Sequence, residues 1–270
     1  FDEHNTITLS EGINFSNGDN EDQILLNYLD ADRKTLRSGN RKNNSGYYNT
    51  NNNTNLHFRH TTDKENEELT AYVSYSNNKN SSNSQYHTLY EKPGGIGEDP
   101  DQQSNIGRGQ NQFWNVQTDY TTPLGKKGKL EAGFKSTSRK NENDYNAQLF
   151  NWDTHQYEKS EQLSNTYEYK EDIYAGYANL AGALGNLGYQ VGTRIEQAHL
   201  KGYSFSRDTS VNNRFFNVFP SLFLKYNLPN NQNQSLIFNY ATRVDRPGFD
   251  QLLPYTNNAD PQNLGVGKPG

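Results

Sequence analysis

Six histidines, His4, His57, His60, His87, His155 and His199, are the first place to look for proton transfer or metal binding, and they are scattered. The sequence has no H-E-x-x-H, no G-x-S-x-G and no phosphate-cradling glycine loop. His57 and His60 stand close together, but a spacing of three on a strand puts them on opposite faces, where they do not share a metal. Two acidic runs, Asp19 to Asp22 and Asp63 to Glu68, gather the carboxylates that calcium takes. Both fall where short turns are predicted, so a solvated turn is the plainer reading. Cysteine is absent, which removes disulfides and thiolate metal sites. These residues predict no catalytic group, no metal and no cofactor.

Recognition chemistry is better represented. Tyr86, Tyr90, Tyr145, Tyr157 and Tyr203 lie in stretches rich in Asn, Ser and Gly. Tyrosine rings stack on sugars and their hydroxyls bond a ligand, although the same residues also simply coat exposed loops. Arg194, Glu196 and Arg243 share the polar parity of their segments. They suit the lining of a substrate path, charge-assisted contacts with an inner domain, or a mutually paired ladder between strands. Arg246 and Pro247 follow at a segment end, where proline terminates a ladder.

The elements that must position these residues are strands. Trp114, Val116, Thr118 and Tyr120 alternate with Asn115, Gln117 and Asp119; a turn from Pro123 to Gly128 follows, and Leu130, Ala132 and Phe134 return opposite Glu131, Gly133 and Lys135. A second hairpin runs from Ile173 to Leu180, turns over Gly182 to Asn186 and returns with Leu187, Tyr189, Val191, Thr193 and Ile195. A third sets Phe216, Val218, Leu222, Leu224, Tyr226 and Leu228 on one face, turns over Pro229 to Asn233, and returns with Leu236, Phe238, Tyr240 and Val244. Fainter strands are predicted at Ile7 to Phe15, Ile24 to Leu29, Leu56 to His60 and Leu69 to Tyr75, about ten in all. Long loops are expected near 35–53, 77–110, 138–165, 200–213 and 247–270.

Only 31% of the residues are hydrophobic, and the mean hydropathy is -1.10. That is too polar for a soluble domain of this length. Disorder fits poorly with 19 Tyr and 13 Phe. A membrane β-barrel fits, because only the outward face of each strand has to be apolar. Backbone groups in hydrocarbon must all be paired, so a spanning sheet closes on itself. The charged residues of the strong strands, Glu131, Lys135, Arg194, Glu196, Lys225 and Arg243, keep to the polar parity as lipid requires. No run of about 18 apolar residues exists for a spanning helix, and a net charge of -5 without a basic stripe argues against nucleic acid. Alternation of short and long connections sets the orientation: turns near 125, 184 and 231 face the periplasm.

In the C-terminal half the chain resembles the outer-membrane β-barrels of TonB-dependent receptors. The resemblance rests on Asp119-Tyr120 through Pro123-Leu124 with Leu130-Glu131-Ala132-Gly133, on Tyr169 to Tyr177 with Gly192-Thr193-Arg194-Ile195-Glu196, and on Phe219-Pro220-Ser221 with Tyr240 to Pro247. Leu252-Leu253-Pro254, Asp260-Pro261 and Gly267-Lys268-Pro269 continue it, with Leu253 and Lys268 where the family usually has Asn. It covers residues 112–270 well and the first hundred by pattern. The family implies a barrel of roughly 22 strands around a plugged lumen. It also implies outer-membrane lipid as surroundings, a TonB complex acting through a plug domain not in this sequence, and room for a surface lipoprotein as partner.

Residues 1–270 are thus expected to form part of one all-β, antiparallel transmembrane barrel domain in the cell outer membrane, an interior piece of a longer polypeptide. The expected role is ligand uptake from outside, without enzymatic activity. An adhesin or structural barrel without active transport is the second reading, and a soluble carbohydrate-binding β-sandwich the third.

Overall fold

The computed structural model describes residues 2–229 and 234–245, with the backbone of 256–257 and 265–266. Its elements are β1 Asn5–Leu29, β2 Thr35–Thr61, β3 Glu68–Lys92, β4 Ile96–Gly97, β5 Asp101–Leu124, β6 Gly128–Asn151, β7 Gln156–Lys159, β8 Asn165–Leu184, β9 Leu187–Ser204, β10 Thr209–Asn227 and β11 Ser235–Ala241. They form one 11-stranded sheet in the order β1-β2-β3-β5-β6-β8-β9-β10-β11, with β4 added to β3 and β7 to β6. Every pairing is antiparallel, so the path is a meander of hairpins. No helix and no second layer of sheet pack against it among the described residues. A β-sandwich needs two facing layers. That reading is therefore overturned.

Burial alternates with strand parity. On β9, Glu196, Ala198 and Leu200 are buried while Val191 and Ile195 between and below them are half exposed. A sheet with nothing stacked on it shows this contrast when it curls, crowding the side chains of one face. The crowded inner face holds the one small core cluster, Tyr169, Ala198 and Leu200 with Ile173. The outer face is apolar. Its rows include Leu180, Val191 and Leu222, and Phe58, Ala71, Thr118 and Phe134. On β10 this face stays apolar from Phe216 to Tyr226. Eleven residues at ~3.4 Å each, tilted by roughly 35 to 45°, stand about 25 to 30 Å tall, the height of a bilayer's apolar band.

The upper border of this belt is sharp. Trp114 rests on Tyr75 at 4.4 Å between ring centroids, and the next outward row carries Lys140, Lys170 and Lys201 side by side. Lys140 is held by Glu142 at 2.6 Å and Lys170 by Asp172 at 3.1 Å. Aromatic side chains followed by charged ones mark the boundary between hydrocarbon and water.

The strands continue far beyond that boundary, and here the sequence reading needs correction. Stretches 35–53 and 77–110, and the beginnings of 138–165 and 200–213, are not loops but extensions of β2, β3, β5, β6, β9 and β10. β2 alone has 27 residues, whereas a tilted strand crosses a bilayer in about 9 to 11. Ile7 to Phe15 and Ile24 to Leu29 are two parts of one strand, so the acidic run Asp19 to Asp22 lies within β1 rather than in a turn. The third hairpin returns only as far as Ala241, and most of its turn lies outside the described residues, as does most of 247–270.

The connections do not divide into short and long as predicted, because residues 30–34 and 205–208 at the extended end are as short as 62–67 at the other. At one end the turns between β5 and β6 and between β8 and β9 are tight, and Leu184 pairs directly with Leu187 around Gly185-Asn186. Gly185 has φ 59°, which fits the first central position of a II′ hairpin turn, where only glycine is unstrained. At the other end the chain carries the long polar extensions and the small strands β4 and β7.

Candidate functional site

Polar groups from many strands converge on the inner face, which has two zones. The first lies at the level of the apolar belt. Arg194 and Glu196 are two apart on β9 and so project from the same face. Arg194 Nε donates to Glu196 Oε1 at 2.7 Å, and its guanidinium carbon stands 5.9 Å from the centre of the Tyr177 ring on β8. Glu196 is buried, Arg194 half-buried. Arg243, just past the end of β11, joins them around a cavity of about 370 Å³ that Pro220 and Thr242 also line. The structure therefore brings together all three charged candidates.

A further pocket of about 340 Å³ continues from Arg194 across the sheet to Lys135 and Gln117. Charged side chains at this depth are costly on the lipid face and tolerated on the inner one.

The second zone lies on the extended outer part of the same face. Its residues come from β1, from the parts of β2 and β3 that the sequence presents as loop, and from Glu98 beyond β4. The Arg37 guanidinium sits between the rings of Tyr28 and Tyr90, 4.4 and 4.2 Å from their centroids. It also pairs with Glu98 at 3.3 Å, and Lys92 reaches the same carboxylate at 2.7 Å. The hydrogen bond from Lys92, helped by that from Arg37, holds the Glu98 carboxyl below its ordinary range. Burial, with a hydrogen bond to Tyr28, pushes the Tyr90 hydroxyl up. One step down the sheet, the buried Arg41 lies 4.2 Å from the centre of the Tyr86 ring.

None of the five candidate tyrosines lies in a loop, contrary to the sequence reading. Tyr86 and Tyr90 are on β3, Tyr145 on β6, Tyr157 on β7 and Tyr203 on β9. Tyr86, Tyr90 and Tyr145 share the inner face. Tyr157 and Tyr203 are on the outer one, where they meet Phe150 and Phe205 edge to face, with ring centroids 5.3 and 4.8 Å apart. Tyr157 donates to Gln102 and Tyr203 to Asp208. Sequence reasoning missed Arg37 and Arg41 altogether. The period-two placement of Arg37, Gly39, Arg41 and Asn43 was the available signal, masked because the alternate residues are polar too.

Elsewhere the histidines stay apart. His57 and His60 occupy opposite faces of β2, and His60 Nδ1 is 2.8 Å from Asn5 Oδ1. No group of three potential metal ligands occurs among the described residues. The acidic run at 63–68 does cap the turn between β2 and β3. Glu67 accepts from Thr122 Oγ1 at 2.7 Å, Thr62 Oγ1 at 2.8 Å, Tyr120 Oη at 2.8 Å and Lys64 Nζ at 3.3 Å. These bonds, Thr122's first, hold its carboxyl down at about 2.

A single antiparallel sheet with a lipid-fit outer face, a polar inner face and an aromatic border defines the wall of an outer-membrane β-barrel. The chain belongs to the outer membrane protein beta-barrel family, whose model matches residues 60–270. It lies in the cell outer membrane, with membrane lipid against its outer face. No curated protein matches it. Solved structures similar to it include the ferric citrate transporter FecA in the unliganded form, with 8% identity over 83% of this chain and 42% of that one, at a TM-score of 0.35. The ferric yersiniabactin uptake receptor FyuA from Yersinia pestis has 10% identity over 76% of this chain and 39% of that one, TM-score 0.31. The outer membrane protease OmpT from Escherichia coli has 12% identity over 83% and 96%, TM-score 0.26. The chain spans less than half the length of the two uptake proteins.

Proposed function

We propose that this chain is barrel wall of a TonB-dependent receptor that takes up a ligand from the cell exterior and has no enzymatic role. The observation that carries this is the continuation of one polar inner face from the apolar belt into a wall that rises far beyond it. A barrel that only anchors itself needs about 9 to 11 residues per strand. Strands of 24 to 27 residues, as in β1, β2, β3, β5 and β6, build a vestibule outside the membrane. Its inner face carries Arg37, Arg41, Tyr86, Tyr90 and Tyr145, and a ligand captured there descends toward Arg194, Glu196 and Arg243. All 270 residues belong to one barrel domain on this reading. A plug domain elsewhere in the polypeptide contacts the inner charged groups and the TonB complex, and the vestibule rim is where a surface lipoprotein would sit.

The test uses the full-length polypeptide purified in detergent and the immobilised periplasmic domain of TonB. Retention, lost when the receptor's TonB-contacting segment is deleted, is the expected result. A folded receptor that passes through unretained overturns the transport reading in favour of an adhesin or structural barrel.

A further inference from the structure

The inner face of the vestibule contains a feature that neither the charged groups nor the fold account for. Asn14, Asn51, Asn78, Asn111 and Asn141 are register partners on β1, β2, β3, β5 and β6, forming one lateral row of five amides. The next row outward holds Ser16, Asn49, Asn80, Gly109 and Asn143. Asparagine is disfavoured in strands, so its concentration here needs a cause other than strand formation. The row begins where the apolar belt ends on four of its strands: the adjacent outer-face row holds Asn52, Asn77, Gln112 and Lys140, with apolar Ile13 only on β1. It is thus outside the membrane and open to the exterior.

Three properties define what this floor takes. The first is unspent hydrogen-bonding capacity. Among the described residues none of the five row amides makes a side-chain hydrogen bond, and the carbonyl oxygens of Asn51 and Asn141 are buried without a partner. Those two oxygens are enclosed by their neighbours, so it is the accessible amides of Asn14, Asn78 and Asn111 that a polar ligand would meet. A cavity of about 490 Å³ lies directly over Asn14, Asn51, Asn78 and the row above. The second property is neutrality. From the row of Asn14 outward to the row of Asn20, Ser45, Ser84, Asn105 and Ala147, four successive inner rows carry no charged residue on these five strands. An anionic chelate would find no counter-charge there.

The third property is the presence of flat aromatic rings. Glycines face them on neighbouring strands: a Cβ on Gly18 would fall 2.9 Å from Tyr47 Cε1, and one on Gly107 would fall 3.5 Å from Tyr145 Cδ2. Both rings lie against these glycines, and Tyr47 stays about half exposed at 48%. On β8 Tyr167 continues the row of Asn143, while the buried Tyr169 closes the row of Asn141.

An amide offers a donor and an acceptor side by side, which matches a pair of neighbouring hydroxyls, and an aromatic face receives the C–H side of a sugar ring. We propose that the amide floor of the vestibule is a binding subsite for a neutral carbohydrate. This rests on the reading of the vestibule as the ligand-capturing part of a receptor and narrows its ligand class.

The test is affinity electrophoresis of the full-length polypeptide in non-ionic detergent, through gels containing dextran, mannan or galactan, with polygalacturonate as the anionic counterpart. At least one neutral polysaccharide should retard the protein, and polygalacturonate should not. Asn51→Ala/Asn78→Ala/Asn111→Ala should weaken the retardation at least tenfold while the heat-modifiable band persists. Asn78→Asp, isosteric but charged, should weaken it as well, and serves if the triple variant does not fold. No retardation by any neutral polymer, equal retardation by polygalacturonate, or unchanged retardation in the variants overturns the assignment. So does a variant that binds sugar normally but exposes another segment of its own polypeptide to trypsin, since that would make the floor an internal contact. None of these results bears on retention by TonB, so failure here is separable from failure of the receptor reading.

Discussion

Glu67 shows how a single side chain in a predicted turn organises it. Four donors, Thr62 and Lys64 in the turn and Tyr120 and Thr122 on the neighbouring β5, converge on one carboxylate, and each bond favours the charged form. Because the folded pKa is depressed to about 2 from its ordinary 4.5, the stabilisation is present above 4.5 and is lost as pH falls through about 2. Hydrogen exchange at the amides of residues 62–67, corrected for the intrinsic pH dependence, should accelerate between these limits. In Glu67→Gln it should be fast throughout and show no such transition. A wild-type turn equally protected at both limits would sink this account. The inner pair behaves differently, because Glu196 is buried and Arg194 is half-buried. Glu196→Ala removes the acceptor from a charged donor and should cost about 1.5 to 3 kcal/mol in a urea titration.

At the scale of elements, the sequence was readable wherever lipid imposed a pattern. The hairpins at 114–135 and 173–195 appear as predicted because their outer faces must be apolar, which makes period two visible. The same parity put Arg194, Glu196 and Arg243 on the inner face. Beyond the belt both faces meet water, alternation carries no hydrophobic contrast, and Asn49 to Asn53 reads as loop although it is mid-strand. Arg37, Arg41 and the asparagine row were hidden for that reason. The same physics gives two predictions. Val191→Arg, midway up the belt on the outer face, should destabilise by about 2 to 4 kcal/mol, while Gln190→Arg on the inner face should be near neutral. Equal effects in a urea titration would mean the faces are assigned wrongly. Gly185→Ala should cost about 1 to 2 kcal/mol because of its left-handed backbone, while Gly176→Ala, where an added Cβ meets nothing within 4 Å, should not.

For the whole molecule, direction across the membrane decides which end meets the ligand. The extended end carries β4 and β7 and the amide floor, and the opposite end has the tight turns at Lys126 and Asn186. Outer-membrane barrels keep short turns in the periplasm, and an extended wall has work to do only outside. These 270 residues contain no cysteine, so single cysteines introduced here report position against a clean background. In intact cells expressing the full-length polypeptide, a membrane-impermeant maleimide should label Gly95→Cys and Thr154→Cys. Lys126→Cys and Asn186→Cys should be labelled only after the outer membrane is permeabilised. The reverse pattern would turn the barrel over, placing Arg41, Tyr86 and the asparagine row in the periplasm, where they could not capture anything from outside. Labelling at both ends in intact cells would show that the chain does not span at all, and the apolar outer face would then need a protein partner rather than lipid.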